Sequence, residues 1–422
     1  MWRGSGAVTA DSLRERGGLK WAAAGPDGLA ACVAEMDFGT APAVAEALHD
    51  AVNRSQFGYL APRLTAQLAE ACAAWHHERY GWDLPPADVR PLPDVIRALH
   101  IAVECFSRPG SAVIVPVPAY PPFLAVPRLL GRRVIPVGMV ESGGRHGYDL
   151  DALDRAFAAG GNLLVVCNPN NPLGTVMERG ELLAIAEVVE RHRGRVFSDE
   201  VHAPLVYGGR RHVPYATTCD AAAGHAITAT STSKAWNVAG LKCAQLLTSN
   251  DADRKRWGEL GRLHTDGTAT LGVLAATAAY LRGGPWLETV RARLDRNRHL
   301  LADLLGSHLP MARYTPPEGT YLGWVDLRGC PPSPDLAERA RVTVMDGAEF
   351  GPSGAGFLRL NFATTPAILA EIVQRLAHAA GAAASGNLSI VDHPTRSPGR
   401  PVTPGGEAML SAVLPEPIAD AS

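Results

Sequence analysis

From Val89 onward the chain alternates β-rich and helix-like runs, and this alternation restricts the fold more than any other feature. The β-rich runs are Ser111 to Val117, Arg133 to Val137, Asn162 to Cys167, Arg195 to Phe197 and the β-leaning Ala226 to Ala229; a helical pattern at Ile96 to Phe106 precedes them and another at Glu181 to Arg191 lies between the third and fourth. Such alternation predicts an α/β domain with a mainly parallel sheet between helices. In open sheets of that kind ligands sit beyond the carboxyl ends of the strands. Three of those ends carry polar motifs: Asn168 to Gly174 (NPNNPLG), Ser198-Asp199-Glu200, and the run Thr230 to Lys234.

Around this centre the patterns are simpler. Helices are expected at Ala41 to Val52 and Leu64 to Tyr80, with His76 and His77 on a solvated helix face, because adjacent histidines point in different directions and make a poor metal site. Helices also dominate from Asp251 to Leu305. An α+β segment, Tyr314 to Gly381, follows with strands at Tyr321 to Asp326 and Phe357 to Phe362 and a helix at Pro366 to Ala379. A length of 422 residues exceeds what one growing core accommodates, so two domains are expected. Beyond Ala384 the composition turns to Gly, Pro, Ser and Ala without aromatics, which predicts a mostly disordered tail to Ser422.

Several function classes are disfavoured. A net charge of -2 offers no excess of positive charge for a polyanion, so nucleic acid is not an expected partner. The seven cysteines are scattered singly, without metal-type pairing, which favours reduced thiols, a cytoplasmic location and no metal site. Neither a signal-peptide core nor an apolar run of membrane-spanning length is present in the sequence.

The chemistry centres on Thr230 to Leu246, TSTSKAWNVAGLKCAQL. Lys234 there can be an imine-forming nucleophile. Ser231, Ser233 and Lys242 can hold a phosphate through hydroxyl donors and a compact ammonium. An aldehyde and a phosphate in one ligand point to pyridoxal 5'-phosphate (PLP). Serines and lysines in a loop are more often simply solvated, so the weight lies with the segments that accompany the run.

Those segments are Ala34 to Phe38 (AEMDF), Phe57-Gly58-Tyr59, Pro118 to Phe123 (PAYPPF), the NPNNPLG turn with Ser198 to Gly208 (SDEVHAPLVYG), and Ser231 to Leu241 (STSKAWNVAGL). In this order they resemble the fold-type I PLP enzymes related to aminotransferases, and more narrowly the cystathionine β-lyase subgroup of carbon-sulfur lyases. The resemblance covers about Asp11 to Ala379. It implies a large PLP-binding domain, residues 49–285, with a mainly parallel seven-stranded sheet between helices, and a smaller α+β domain, residues 286–383, joined by the N-terminal segment 1–48.

The resemblance also implies roles. Asp199 faces the pyridine nitrogen, Asn171 and His202 the phenolic oxygen, and Tyr120 stacks on the ring near the reacting bonds. Val95 and Ile96 offer backbone N–H groups to the phosphate, joined by Ser231, Ser233 and Lys242, the last standing where aminotransferases commonly use arginine. Tyr59 reaches the neighbouring subunit's phosphate in a homodimer. Arg359 clamps the substrate α-carboxylate, with Tyr120, Asn171 and Phe38 beside the substrate. Asp94 departs from the family pattern, which has glycine there. Each residue also has an ordinary reading: Asp199 as a helix cap, Asn171 as a turn residue, His202 as a satisfied core histidine, Tyr120 and Tyr59 as packed aromatics, and Arg359 as a surface strand arginine.

The Asp-Glu-Val-His, PAYPPF and AEMDF segments favour β-elimination from an S-conjugated cysteine, giving a thiol, pyruvate and ammonia. Transamination, or a decarboxylating or oxidative variant, would use the same residues. A non-catalytic regulatory binding role is the alternative of another class.

Overall fold

The computed structural model describes residues 8–331 and 335–381, so the Ala384 to Ser422 tail lies outside the described residues. Its centre is an eight-stranded sheet. In chain order the strands are β1 (Val89–Leu92), β2 (Ala112–Val117), β3 (Val134–Ser142), β4 (Arg145–Tyr148), β5 (Gly161–Cys167), β6 (Arg195–Asp199), β7 (Ala226–Thr230) and β8 (Ala244–Thr248). Their spatial order is β1-β8-β7-β6-β5-β2-β3-β4. The run from β7 to β3 is parallel throughout, while β8 is antiparallel to both of its neighbours and β4 folds back on β3. Every residue of β2, β5, β7 and β8 is buried. Continuous apolar runs of this kind are what a sheet covered on both faces requires.

The seven strands implied by resemblance thus become eight. β4 has no counterpart among the expected runs; it pairs with the half of β3 beyond Arg133 to Val137, from Met139↔Tyr148 to Ser142↔Arg145, around two glycines of positive φ, Gly143 and Gly144. β4 and the paired half of β3 are half-buried or exposed, so neither carries the apolar run that announces a core strand.

The helices Pro42–Asn53 and Pro62–Tyr80 each open on proline, whose missing N–H costs nothing in the first turn. Both pack against the helix Thr270–Arg282. His76 is not on a solvated face: it is buried, edge-on to Tyr80 and Trp82, with Nδ1 2.8 Å from the Cys72 carbonyl oxygen. Burial holds its imidazole below the usual value. His77 does face solvent, 2.7 Å from Asp83.

A second, four-stranded antiparallel sheet joins Arg313–Tyr314, Leu322–Asp326, Phe357–Asn361 and Met345–Asp346, and the helices Gly284–His308 and Pro366–Ala379 pack together. The NPNNPLG turn is pressed against Pro317. Gly174 has φ +67°, and a Cβ there would come within 2.2 Å of Pro317 Cβ, so only glycine fits. Its carbonyl accepts from Gly319 N at 2.9 Å, and Glu318 Oε2 accepts from Val176 N at 2.8 Å.

Candidate active site

Because β5, β6 and β7 are adjacent and parallel, their carboxyl ends deliver Asn168 to Gly174, Asp199 and the Lys234 loop to one edge of the sheet. Asp199 is buried at the end of β6, its Oδ1 accepting from Val201 N at 3.0 Å. Burial pushes its carboxyl up to about 7, against the pull of that N–H and of Lys234. Lys234 is half-buried, and its Nζ donates to the Ala34 carbonyl at 3.1 Å. Desolvation, then the charge of Arg359, lowers its pKa to about 8 in spite of Glu35 and Asp199.

His202 is buried, edge-on to Tyr321, and its Nδ1 has no hydrogen-bond partner among the described residues. Burial, with Lys234 and Arg359 nearby, drives its pKa to about 3, so the ring is neutral. Arg359 is 2% exposed. One Nη donates to Asn171 Oδ1 at 3.0 Å and the other to the Cys32 carbonyl at 2.8 Å, while Nε is unpartnered among the described residues. Its guanidinium lies over the Phe350 ring, and desolvation lowers its pKa to about 10. The surface-strand reading of Arg359 is therefore excluded, as is that of His202 as a fully satisfied histidine.

The AEMDF segment is held here by contacts that sequence reasoning missed. Lys20 and Asp37 form a buried ion pair at 3.0 Å, and Trp21 Nε1 donates to Asp37 Oδ1 at 2.9 Å. Asn237, three residues past Lys234 and at φ +58°, accepts from Met36 N and donates to the Met36 and Gly39 carbonyls. Asn361 donates to the carbonyls of Val33 and Glu35. Tyr321 OH donates to the same Ala34 carbonyl that receives Lys234. Only the AEMDF motif itself signalled that this segment would be at the site.

The expected phosphate end is more open. Asp94 caps the helix Val95–Cys105, accepting from Arg97 N at 2.8 Å, and its other oxygen accepts from Lys242 Nζ at 3.0 Å. Val95 and Ile96, opening that helix, are half-buried. Ser231 Oγ donates to the Cys243 carbonyl at 2.7 Å and accepts from Ser233 N at 3.0 Å, fastening the loop before Lys234. Tyr120 is half-buried and edge-on to Phe123; burial raises its hydroxyl pKa, with Arg359 opposing and Asp199 and Asp94 reinforcing. Phe38 lies beneath the Arg293 guanidinium. Tyr59 is fully exposed, on a loop anchored by Thr270 Oγ1 donating to the Gly58 carbonyl. At the far end of the Val95–Cys105 helix, Glu104, Cys105 and His264 bring donor atoms within 4.8 Å of one another, and Glu104 also pairs with His100 at 3.2 Å.

These residues fit PLP. A buried carboxylate awaiting a cation, a neutral histidine with a free ring nitrogen, a guanidinium with an open N–H edge and a lysine of lowered pKa are each unfinished without a ligand. Residues 27–376 match the family model described as aminotransferase class I and II. Cystathionine β-lyase of Corynebacterium glutamicum is 42% identical over 374 residues, 87% of this chain and 98% of that protein. Among solved structures, a Corynebacterium diphtheriae protein proposed to be a PLP-dependent β-cystathionase has a TM-score of 0.84 at 41% identity, covering 88% of this chain and 98% of that one. Cystalysin of Treponema denticola, which contains a pyridoxal 5'-phosphate cofactor, has a TM-score of 0.82 at 28% identity, covering 88% and 97%. The chain thus has the fold-type I architecture.

Proposed function

The chain belongs to the aminotransferase class I and II family, and within it we propose that this protein is a PLP-dependent carbon-sulfur β-lyase that cleaves cystathionine or another cysteine S-conjugate to a thiol, pyruvate and ammonia. The observation that carries the reading is Lys234, in the loop that leaves β7 beside the Asp199 end of β6, its Nζ donating to the Ala34 carbonyl at 3.1 Å and its amine lowered to about 8 by burial and Arg359. The 42% identity with a cystathionine β-lyase supports elimination over transamination.

PLP, when bound, supplies an aldehyde for the amine and a ring that takes up the electron pair left when the α-proton departs. Lys234 would hold the aldehyde and take the α-proton; an amine of pKa about 8 is about one-tenth neutral at pH 7. Asp199 would oppose the ring nitrogen, where a positive charge would draw its carboxyl back to the ionised form. Asn171 and the neutral His202 would serve the phenolic oxygen. Arg359 takes the α-carboxylate, and because Asn171 and the Cys32 carbonyl already hold it, little ordering remains when substrate arrives. Tyr120 would cover the ring.

A homodimer belongs to the same proposal: Tyr59 is fully exposed and Phe57 62% exposed on an anchored loop, as suits residues that complete a neighbour's site. So does the division into residues 49–285 and 286–383 with 1–48. Among the described residues no helix is long and apolar enough to cross a membrane, and the seven cysteines are free thiols, which supports placing the enzyme in the cytoplasm.

The test is to incubate the PLP-loaded protein with cystathionine and simple cysteine S-conjugates, assaying pyruvate, thiol and ammonia with and without a keto acid. Stoichiometric pyruvate and thiol independent of the keto acid is the expected result. Turnover only with the keto acid would make it an aminotransferase, and carbon dioxide without pyruvate a decarboxylating enzyme.

A further inference from the structure

An acid stands where the proposed site must hold an anion. Asp94 spends one carboxylate oxygen on Arg97 N, capping the helix, and the other on Lys242 Nζ at 3.0 Å. Lys242 sits in left-handed backbone conformation, φ +49°, which is uncommon for a lysine, and its carbonyl accepts from Ala269 N at 3.2 Å. The ammonium is thus committed to the capping carboxylate. Both side chains keep contact with water, at 59% and 40% exposure, so the pair is a weak, exchangeable one.

We infer that Asp94 limits cofactor affinity: it competes with the PLP phosphate for Lys242 and repels that phosphate. This rests on the PLP reading above. The cap does not need the charge, since a neutral Asn or Ser side chain accepts the same N–H. What the charge adds for the helix is the modest attraction of an anion to its positive end; beside a phosphate site its larger effect is on the ligand, which it repels. Two consequences follow from exposure. Neutralising Asp94 tightens PLP by about two- to fivefold at low salt, the scale of partly exposed charge pairs, and the gain shrinks as salt screens the site. Pyridoxal, which lacks the phosphate, is indifferent to Asp94. Cofactor loading of this chain accordingly depends on ionic strength as well as on PLP concentration.

The experiment strips the cofactor from the wild-type protein, Asp94→Asn and Asp94→Ser, and titrates each with PLP and with pyridoxal at low and high salt. The readouts are quenching of tryptophan fluorescence and the borohydride-sensitive absorbance of the lysine-bound form, with thermal melting to show that both variants keep the cap. Both variants binding PLP more tightly than wild type, mainly at low salt, with pyridoxal unchanged, is the expected result. Equal or weaker PLP binding in the two variants, or pyridoxal tightened as much as PLP, overturns the inference while leaving the cofactor reading intact. Wild-type protein that takes up neither compound overturns the cofactor reading, and this inference with it.

Discussion

The two ends of the site are built on opposite plans. At one end Arg359 is 2% exposed and held by Asn171, the Cys32 carbonyl and the Phe350 ring; at the other Lys242 is more than half exposed and meets a single carboxylate. The contrast follows from solvation. A charge taken out of water must have its partners built in, or its burial costs more than the fold can supply. A charge still in water can wait with a provisional partner and exchange it for a ligand. In the proposed function the buried end would set the geometry of the substrate carboxylate, and the open end how strongly the phosphate is held.

Lys234, which feels Arg359, Glu35 and Asp199, is the proposed nucleophile, so its loss has the largest effect. Lys234→Ala is expected to lower turnover by at least about 10³-fold and to abolish the borohydride-sensitive absorbance of the PLP-treated protein. Survival of that absorbance would assign the covalent attachment to another lysine.

Asp199 tests whether the buried part of the site is strained without its ligand. Its folded pKa, about 7, lies above its ordinary 3.8, so the stability of the neutral form is fully present below about pH 4 and is lost as pH rises through 7. Cofactor-free Asp199→Asn is expected to match wild type near pH 4 and to exceed it at pH 8 by on the order of 4 kcal/mol. Urea melts at the two pH values measure this. A difference that does not change with pH would show that Asp199 is not destabilised by burial.

The same melts compare the two ends directly. Arg359→Ala leaves Asn171 and the Cys32 carbonyl without their donor and is expected to destabilise by about 2–4 kcal/mol. Lys242→Ala, which breaks only a partly exposed pair, is expected to cost less than about 1 kcal/mol. Similar costs would erase the distinction between a prebuilt end and an exchangeable one.

Much of the architecture was readable because its signals are local. The helix Pro366–Ala379 was placed to the residue, and β2, β5 and β6 to within two, since apolar runs and turn residues announce themselves over a few positions. The first half of β3 was expected as Arg133 to Val137, but β4 and the part of β3 that pairs with it lacked such a run and were missed. His76 shows the limit from the other side: two adjacent histidines look alike in the sequence, and only packing against Trp82 and Tyr80 buries one of them.

By itself the sequence determined which strands end in reactive loops, and that Lys234, Asp199 and Asn171 belong to those ends, because strand, turn and helix patterns depend on near neighbours. Only the tertiary structure decided what each charge meets. Lys20 finds Asp37 at a separation of 17 residues, Lys242 finds Asp94 across 148, and Arg359 finds the Cys32 carbonyl across 327. Pairing, burial and the pKa values that follow are set by segments brought together through the whole fold, and no local pattern in the chain records them.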